Sequence, residues 1–372
     1  MKFLIITHVN HIQHKNGYFG YAPYIREMNV WVKYVDQLII LAPIKREIPT
    51  EIEASYEHKS INFRKVSDVS FTTFRNTLIS VFKLPVIFLK IFFAMKEADH
   101  IHLRCPGNMG LIGCCVQIFF PGKIKTAKYA GNWDNKSKQP LSYNIQKFIL
   151  RNRFLTRNMK VLVYGDWKTQ SKNIKSFFTA TYSDSEKELV EKIDLDTNID
   201  FIFVGSLVLG KNPLYAIKLI EKLLKEERRV SLNLYGEGAE AEMLQNYTKE
   251  KNLEEFIFFH GNQNKQILKE AYKKAHFVIL PSKSEGWPKA IAEGMFWGCV
   301  PITTGVSCIP FMLDYGNRGI ILKMDLEKDT NRILYILDNE NVFSSKSKLA
   351  RDWSQNYTVD LFEEEIKTVL QK

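Results

Sequence analysis

With 372 residues, 45% of them hydrophobic and 25% charged, the chain is long enough for two cores, and its composition excludes a disordered or fibrous protein. The formal net charge is +11, but residues 1–180 hold 27 Lys+Arg against 11 Asp+Glu, whereas residues 181–372 hold 25 against 30. Only the first half is basic, which suits an anionic partner such as a lipid headgroup surface, a polyphosphate lipid or a nucleic acid. In chain order, strand-like apolar runs fall at 3–7, 37–42, 61–65, 100–104, 124–130 and 160–164. In the second half they fall at 200–205, 230–235, 256–260, 277–280, 300–303 and 319–322, and helical stretches separate them. Such alternation predicts parallel sheets covered by helices on both faces, here as two doubly wound domains. Expected boundaries are 1–190 for the first domain and 191–355 for the second, with the break in the polar stretch 183–199. A closing helix at 356–372 is expected to pack back on the first domain.

Several features bear on location. Met1 leads straight into an apolar strand with no cationic leader, so no secretory signal is read. The greasiest stretch, Val81–Met95, is interrupted by Lys83, Pro85 and Lys90 and is too short and too charged to span a bilayer. The five cysteines (105, 114, 115, 299 and 308) are odd in number and lack metal-site spacing, as for reduced thiols in a cytoplasmic protein. Most aromatics of Phe71–Met95 are read as core packing, in a helix hairpin over the first sheet, with membrane contact left to the surrounding lysines. The segment Gln146–Lys160 is the better candidate for an exposed basic face. Peripheral contact with an anionic membrane is therefore expected to come from lysine and arginine and to weaken with salt.

The segment PSKSEGWPKAIAEGMFWGCVPITT, Pro281 to Thr304, carries most of the chemistry. A buried strand ends at Pro281, a short loop holds Glu285 and Gly286, and Pro288 suits the first turn of a helix running to Phe296. Glu293 lies inside that helix, roughly 8 Å along its axis from Pro288. A diphosphate sits well on the free N–H groups of a helix start, so a nucleoside diphosphate could place its ribose near Glu293 and its far substituent near Glu285. Upstream, Lys211 stands in a strand-to-helix loop, where an ammonium would offset the charge of a departing diphosphate. The turns Tyr235-Gly236-Glu237-Gly238 and His260-Gly261-Asn262 are each weak signals alone.

Taken in order, VGSLVLGKNP, YGEG, HGN and SEGWPKAIAEG resemble the donor-binding half of a family-4 retaining glycosyltransferase of the GT-B fold. The resemblance is strong over residues 201–304 and implies two Rossmann-like domains facing an interdomain cleft. It implies that Glu285 bonds hydroxyls of the donor sugar, that Lys211 holds the diphosphate, and that Glu293 bonds the ribose. Backbone N–H groups of Gly286, Trp287, Lys289 and Ala290 would face the sugar and diphosphate, with Gly236 and Gly261 lining the same site. Ser206 stands where the family usually has Arg, which removes a cation; Lys289 is a candidate substitute. Gly17, after the first strand, occupies the place of a glycine-rich phosphate loop. The family histidine beside the reacting sugar is absent from Tyr129-Ala130-Gly131-Asn132-Trp133-Asp134. Asn132 and Asp134 are candidates for the acceptor side, or else they cap the next helix. Arg104, at a strand's carboxyl end, is a third acceptor-side candidate, whereas His100 and His102 share one face and read as packed.

The implied reaction is transfer of a sugar, with retention, from a UDP-sugar donor to a glycan or lipid-diphosphate-linked acceptor in cell-surface polysaccharide or lipopolysaccharide assembly. No cofactor or metal is expected. A sugar-nucleotide 2-epimerase of the same fold and a nucleic-acid binder are the alternatives, the latter without any recognisable nucleic-acid motif.

Overall fold

A computed structural model describes residues 1–50, 52–67, 74–167, 171–190, 195 and 198–371, of which 74–81 are described by backbone alone. Most of 191–197 in the expected break, Phe71, and the side chains of Phe74 and Arg75 lie outside the described residues. The chain divides into two compact units, Met1–Phe178 with Glu363–Lys372, and Thr179–Phe362.

The first unit is built on a parallel sheet of spatial order Ile174–Phe177, Met159–Tyr164, Ile124–Tyr129, His100–Cys105, Lys2–Ile6, Gln37–Ala42 and Ile61–Lys65. Lys2–Ile6 and Gln37–Ala42 carry continuous apolar runs because both of their faces are covered. Phe3–Ile6 and Leu38–Ala42 are fully buried. The second unit holds a parallel sheet of order Ile257–Phe259, Val230–Tyr235, Ile199–Val204, Phe277–Leu280, Val300–Thr304 and Ile320–Leu322. Each of the twelve strands read from the sequence is present, and Ile174–Phe177 is added at the edge of the first sheet.

Other differences are informative. A small sheet formed by Ile44–Lys45, His11–His14, Gly17–Tyr21 and Glu53–Ser55 was not expected. Gly17 accordingly starts a strand, paired with His14 across a tight antiparallel turn, and does not lie in an open phosphate loop. The aromatic stretch forms a single helix, Phe74–Glu97, rather than a hairpin. Pro85 lies on its exposed side, where water can satisfy the carbonyl that proline's missing N–H leaves open. The division at Phe178/Thr179 precedes the expected 190/191, because Tyr182 packs against Phe296 and edge-on against Trp297 of the second unit. The last helix, Val359–Leu370, begins in the second unit and ends in the first. There the carboxylate of Glu363 takes the Lys33 ammonium at 2.8 Å and the Tyr34 hydroxyl, and Ile366 and Val369 are buried.

Candidate active site

In the second unit, the loops at the carboxyl ends of neighbouring parallel strands carry the residues singled out from the sequence. After Ile199–Val204 the chain turns through Ser206 to Gly210. The Lys211 amide bonds the Val208 carbonyl at 2.9 Å, and a helix starts at Pro213. After Val230–Tyr235, Gly236 has φ +139°, and a Cβ there would stand 2.1 Å from the Gly205 carbonyl oxygen. Only glycine lets these two loops lie so close. Gly261, after the next strand, accepts the Gly236 N–H at 2.8 Å.

After Phe277–Leu280 comes the loop with Glu285. Its backbone is pinned from two sides: the Lys283 N–H bonds the Gly210 carbonyl at 2.9 Å, and the Ser307 hydroxyl bonds the Gly286 carbonyl at 3.1 Å. The helix that follows spans Lys289–Phe296, with Pro288 as its N-cap rather than its first residue. Gly294 brings that helix against its own sheet, since a Cβ there would meet Val278 Cγ1 at 2.6 Å.

The three chemical residues all fall here. Lys211 Nζ lies 2.6 Å from Glu285 Oε1, with Glu285 buried and Lys211 half-exposed. The ammonium expected on a diphosphate and the carboxylate expected on a sugar are thus each other's partners in the ligand-free chain. Glu293, one helix away, accepts the Thr181 hydroxyl at 2.7 Å and the Tyr272 hydroxyl at 3.2 Å. Burial pushes its carboxyl above the usual range, opposed by Thr181, by the Lys289 charge and by Tyr272. Thr181 and Tyr272 were not found by sequence reading; they lie 112 and 21 residues from Glu293, and no local motif links them. Lys289 and Ala290 are half-exposed on the same helix, Ser206 is exposed, and Gly286 is half-exposed. The Trp287 side chain is buried, its ring centroid 6.1 Å from that of Trp353 and 5.5 Å from that of Tyr357. Among the described residues, no three His, Cys, Asp or Glu side chains are gathered to hold a metal ion.

The acceptor-side candidates of the first unit are committed elsewhere. Arg104 bonds Glu27 at 3.0 Å, and the fully buried Lys128 reaches the same carboxylate at 2.9 Å. This triad was missed, although a lysine inside a buried strand is a sign that a carboxylate lies opposite it. Asn132 accepts the Asp134 N–H, and Asp134 accepts the Lys136 N–H, so both side chains shape their own turn. They do not cap the following helix, whose N-cap is Pro140. His100 and His102 are buried and share Thr126 Oγ1 at 2.9 and 2.8 Å, as packed residues would.

Residues 185–358 match the family described as Glycosyl transferases group 1. The chain is 25% identical over 177 residues, 46% of its own length and 49% of the relative's, to an uncharacterized glycosyltransferase of Haemophilus influenzae. It is 22% identical over 166 residues to the poly(glycerol-phosphate) alpha-glucosyltransferase of Bacillus subtilis, covering 42% of this chain and 23% of that one. The chain thus spans about half or less of the length of these curated relatives. Among solved structures, Anabaena HepE in complex with UDP superposes with a TM-score of 0.71 over 100% of both chains at 13% identity. At that identity the likeness is one of fold, and the fold is GT-B.

Proposed function

We propose that this chain is a retaining, metal-independent glycosyltransferase that takes a sugar from a UDP-sugar and delivers it to a glycan or lipid-diphosphate-linked acceptor in cell-surface polysaccharide or lipopolysaccharide assembly. The observation that carries the reading is the Lys211–Glu285 pair, set one helix from Glu293 inside the matched domain. Support for the donor comes from the UDP in the HepE complex, and for the acceptor class from the name of the Bacillus relative.

On this reading the arriving donor separates the pair. Its diphosphate takes the Lys211 ammonium, and its sugar hydroxyls donate to the Glu285 carboxylate that this leaves open. Glu293 takes the ribose hydroxyls while keeping Thr181 and Tyr272, since each carboxylate oxygen has a second lone pair. In the reaction, the bond from the anomeric carbon to the diphosphate oxygen breaks with its electron pair on that oxygen. The acceptor oxygen bonds the same face of the carbon, and its proton passes to the departing phosphate oxygen. The protein's part is to orient the reactants and to stabilise the diphosphate charge through Lys211 and the start of the Lys289–Phe296 helix. No side-chain base is needed in this route, consistent with the absence of the family histidine.

The test is turnover with a panel of UDP-sugars and the anomeric configuration of the product. Lys211→Ala and Glu285→Ala are each expected to lower kcat by about 10²-fold or more. Near-normal turnover by purified Glu285→Ala protein overturns the reading, as does isomerisation of a UDP-sugar supplied without acceptor.

A further inference from the structure

The helix Phe74–Glu97 is apolar on two opposite sides. Ile87, Ile91, Ala94 and Met95 are buried against the first sheet. Phe82, Val86, Leu89 and Phe93 recur at helical spacing on the other side and are exposed, Phe82 by 81% and Phe93 by 59%. At about 100° per residue these four fall within an arc of about 60°, so the stripe is continuous and is not explained by the core. Phe88 and Phe92 pack inward, as expected of most aromatics here, whereas Phe82 and Phe93 do not. Next in the layer come Asn108–Val116, which packs on the first helix, and Leu141–Arg151, which packs on Asn108–Val116. Phe119 is exposed just past the former helix, and Leu141, Ile145 and Phe148 form a second exposed row on the latter. Phe154, 80% exposed, follows.

Charge identifies the occupant. Residues 74–96, 100–133 and 135–165 contain no Asp or Glu, and residues 74–165 hold 15 Lys+Arg. The three carboxylates in that span are engaged: Glu97 with Arg64, Asp99 with the Lys2 N–H, and Asp134 with its own turn. Lys90, Lys96, Arg153 and Arg157 are exposed beside the apolar rows. Apolar rows edged by cations and lacking carboxylates complement an anionic bilayer, with rings at the level of the acyl boundary and cations among the headgroups. Among the described residues no helix is long and apolar enough to cross a membrane.

We propose that this helical face of the first unit docks on an anionic membrane by inserting the row Phe82, Val86, Leu89 and Phe93, the cations alongside it engaging headgroups. The inference rests on the first unit alone and not on the donor reading. It differs from purely electrostatic attachment, because apolar contact is not screened by salt.

Sedimentation of the full chain with vesicles tests it, using phosphatidylcholine with and without phosphatidylglycerol. Wild type is expected to bind the anionic vesicles and to keep part of that binding in about 0.5 M salt. The triple variant Phe82→Ser, Leu89→Ser, Phe93→Ser is expected to bind at least tenfold more weakly and to be released entirely by salt. Circular dichroism melting confirms its fold, and Phe148→Ser provides an independent variant on the neighbouring row, expected to weaken binding less. Donor protection against unfolding should be the same in all variants, which separates this result from the donor assignment. No sedimentation of wild type overturns the proposal, as does equal sedimentation of the triple variant. So does a wild-type dimer that the triple substitution splits while vesicles remain unbound.

Discussion

Glu293 is the residue whose protonation links the site to folding. Burial raises its carboxyl above the 4.5 usual for glutamate, with Thr181, Lys289 and Tyr272 opposing. The folded chain therefore holds this proton more tightly than the unfolded chain does. Stability linked to it is greatest below about pH 4.5 and falls as pH rises from there through the raised folded value. Glu293→Gln cannot ionise and should lose this dependence. Melting curves from about pH 4.5 to 7 should show wild type declining relative to the variant, by about 2–4 °C for each kcal/mol of linked stability; parallel curves would remove Glu293 as the cause. The loop holding Glu285 and the helix holding Glu293 were legible in the sequence because their spacing is local, whereas Lys211 lies 74 residues from Glu285 and their pairing emerges only in the fold. Thr181 and Tyr272 were not, since only the folded sheet brings them to the carboxylate. Arg104, Asn132 and Asp134 show the converse limit, because being at a strand's end does not reveal which groups nearby already occupy a side chain.

Among elements, the helix Lys289–Phe296 depends on one missing methyl group. Gly294→Ala would place a carbon 2.6 Å from the stiff Val278 side chain, forcing the helix off its strand. The expected cost is about 1–3 kcal/mol, read as a lower denaturant midpoint, with donor protection weakened because Glu285 and Glu293 shift with the helix. The long buried strands were legible because continuous apolar runs of four to eight residues with turn signals have few other readings. The small sheet was not: His11–His14 and Gly17–Tyr21 mix His, Gln, Gly and aromatic residues without a clear period, and Ile44–Lys45 is only two residues long. Phe74–Glu97 was legible as helical and apolar. Which of its two apolar sides meets the sheet follows from packing and not from spacing.

At the level of the molecule, the division of charge seen in the sequence has a structural counterpart, since the long acid-poor stretch coincides with three packed helices of the first unit. That unit also takes its last pieces from the far end of the chain. Deleting residues 363–372 would strip Ile366, Val369 and Leu370 from its core, along with the Lys33–Glu363 pair. At about 1.5–3 kcal/mol per buried side chain, several kcal/mol should be lost. Hydrogen exchange should show amides of Gln37–Ala42 losing protection while those of Phe277–Leu280 keep theirs; equal loss in both would refute the assignment of this segment. The same arrangement bears on synthesis. After Phe178 is made, about 180 residues must be translated before Glu363 emerges, roughly 10–40 s at ordinary rates of elongation. During that interval the nascent first unit waits on the ribosome with the seam for Ile366, Val369 and Leu370 open, an apolar surface that only the final helix closes.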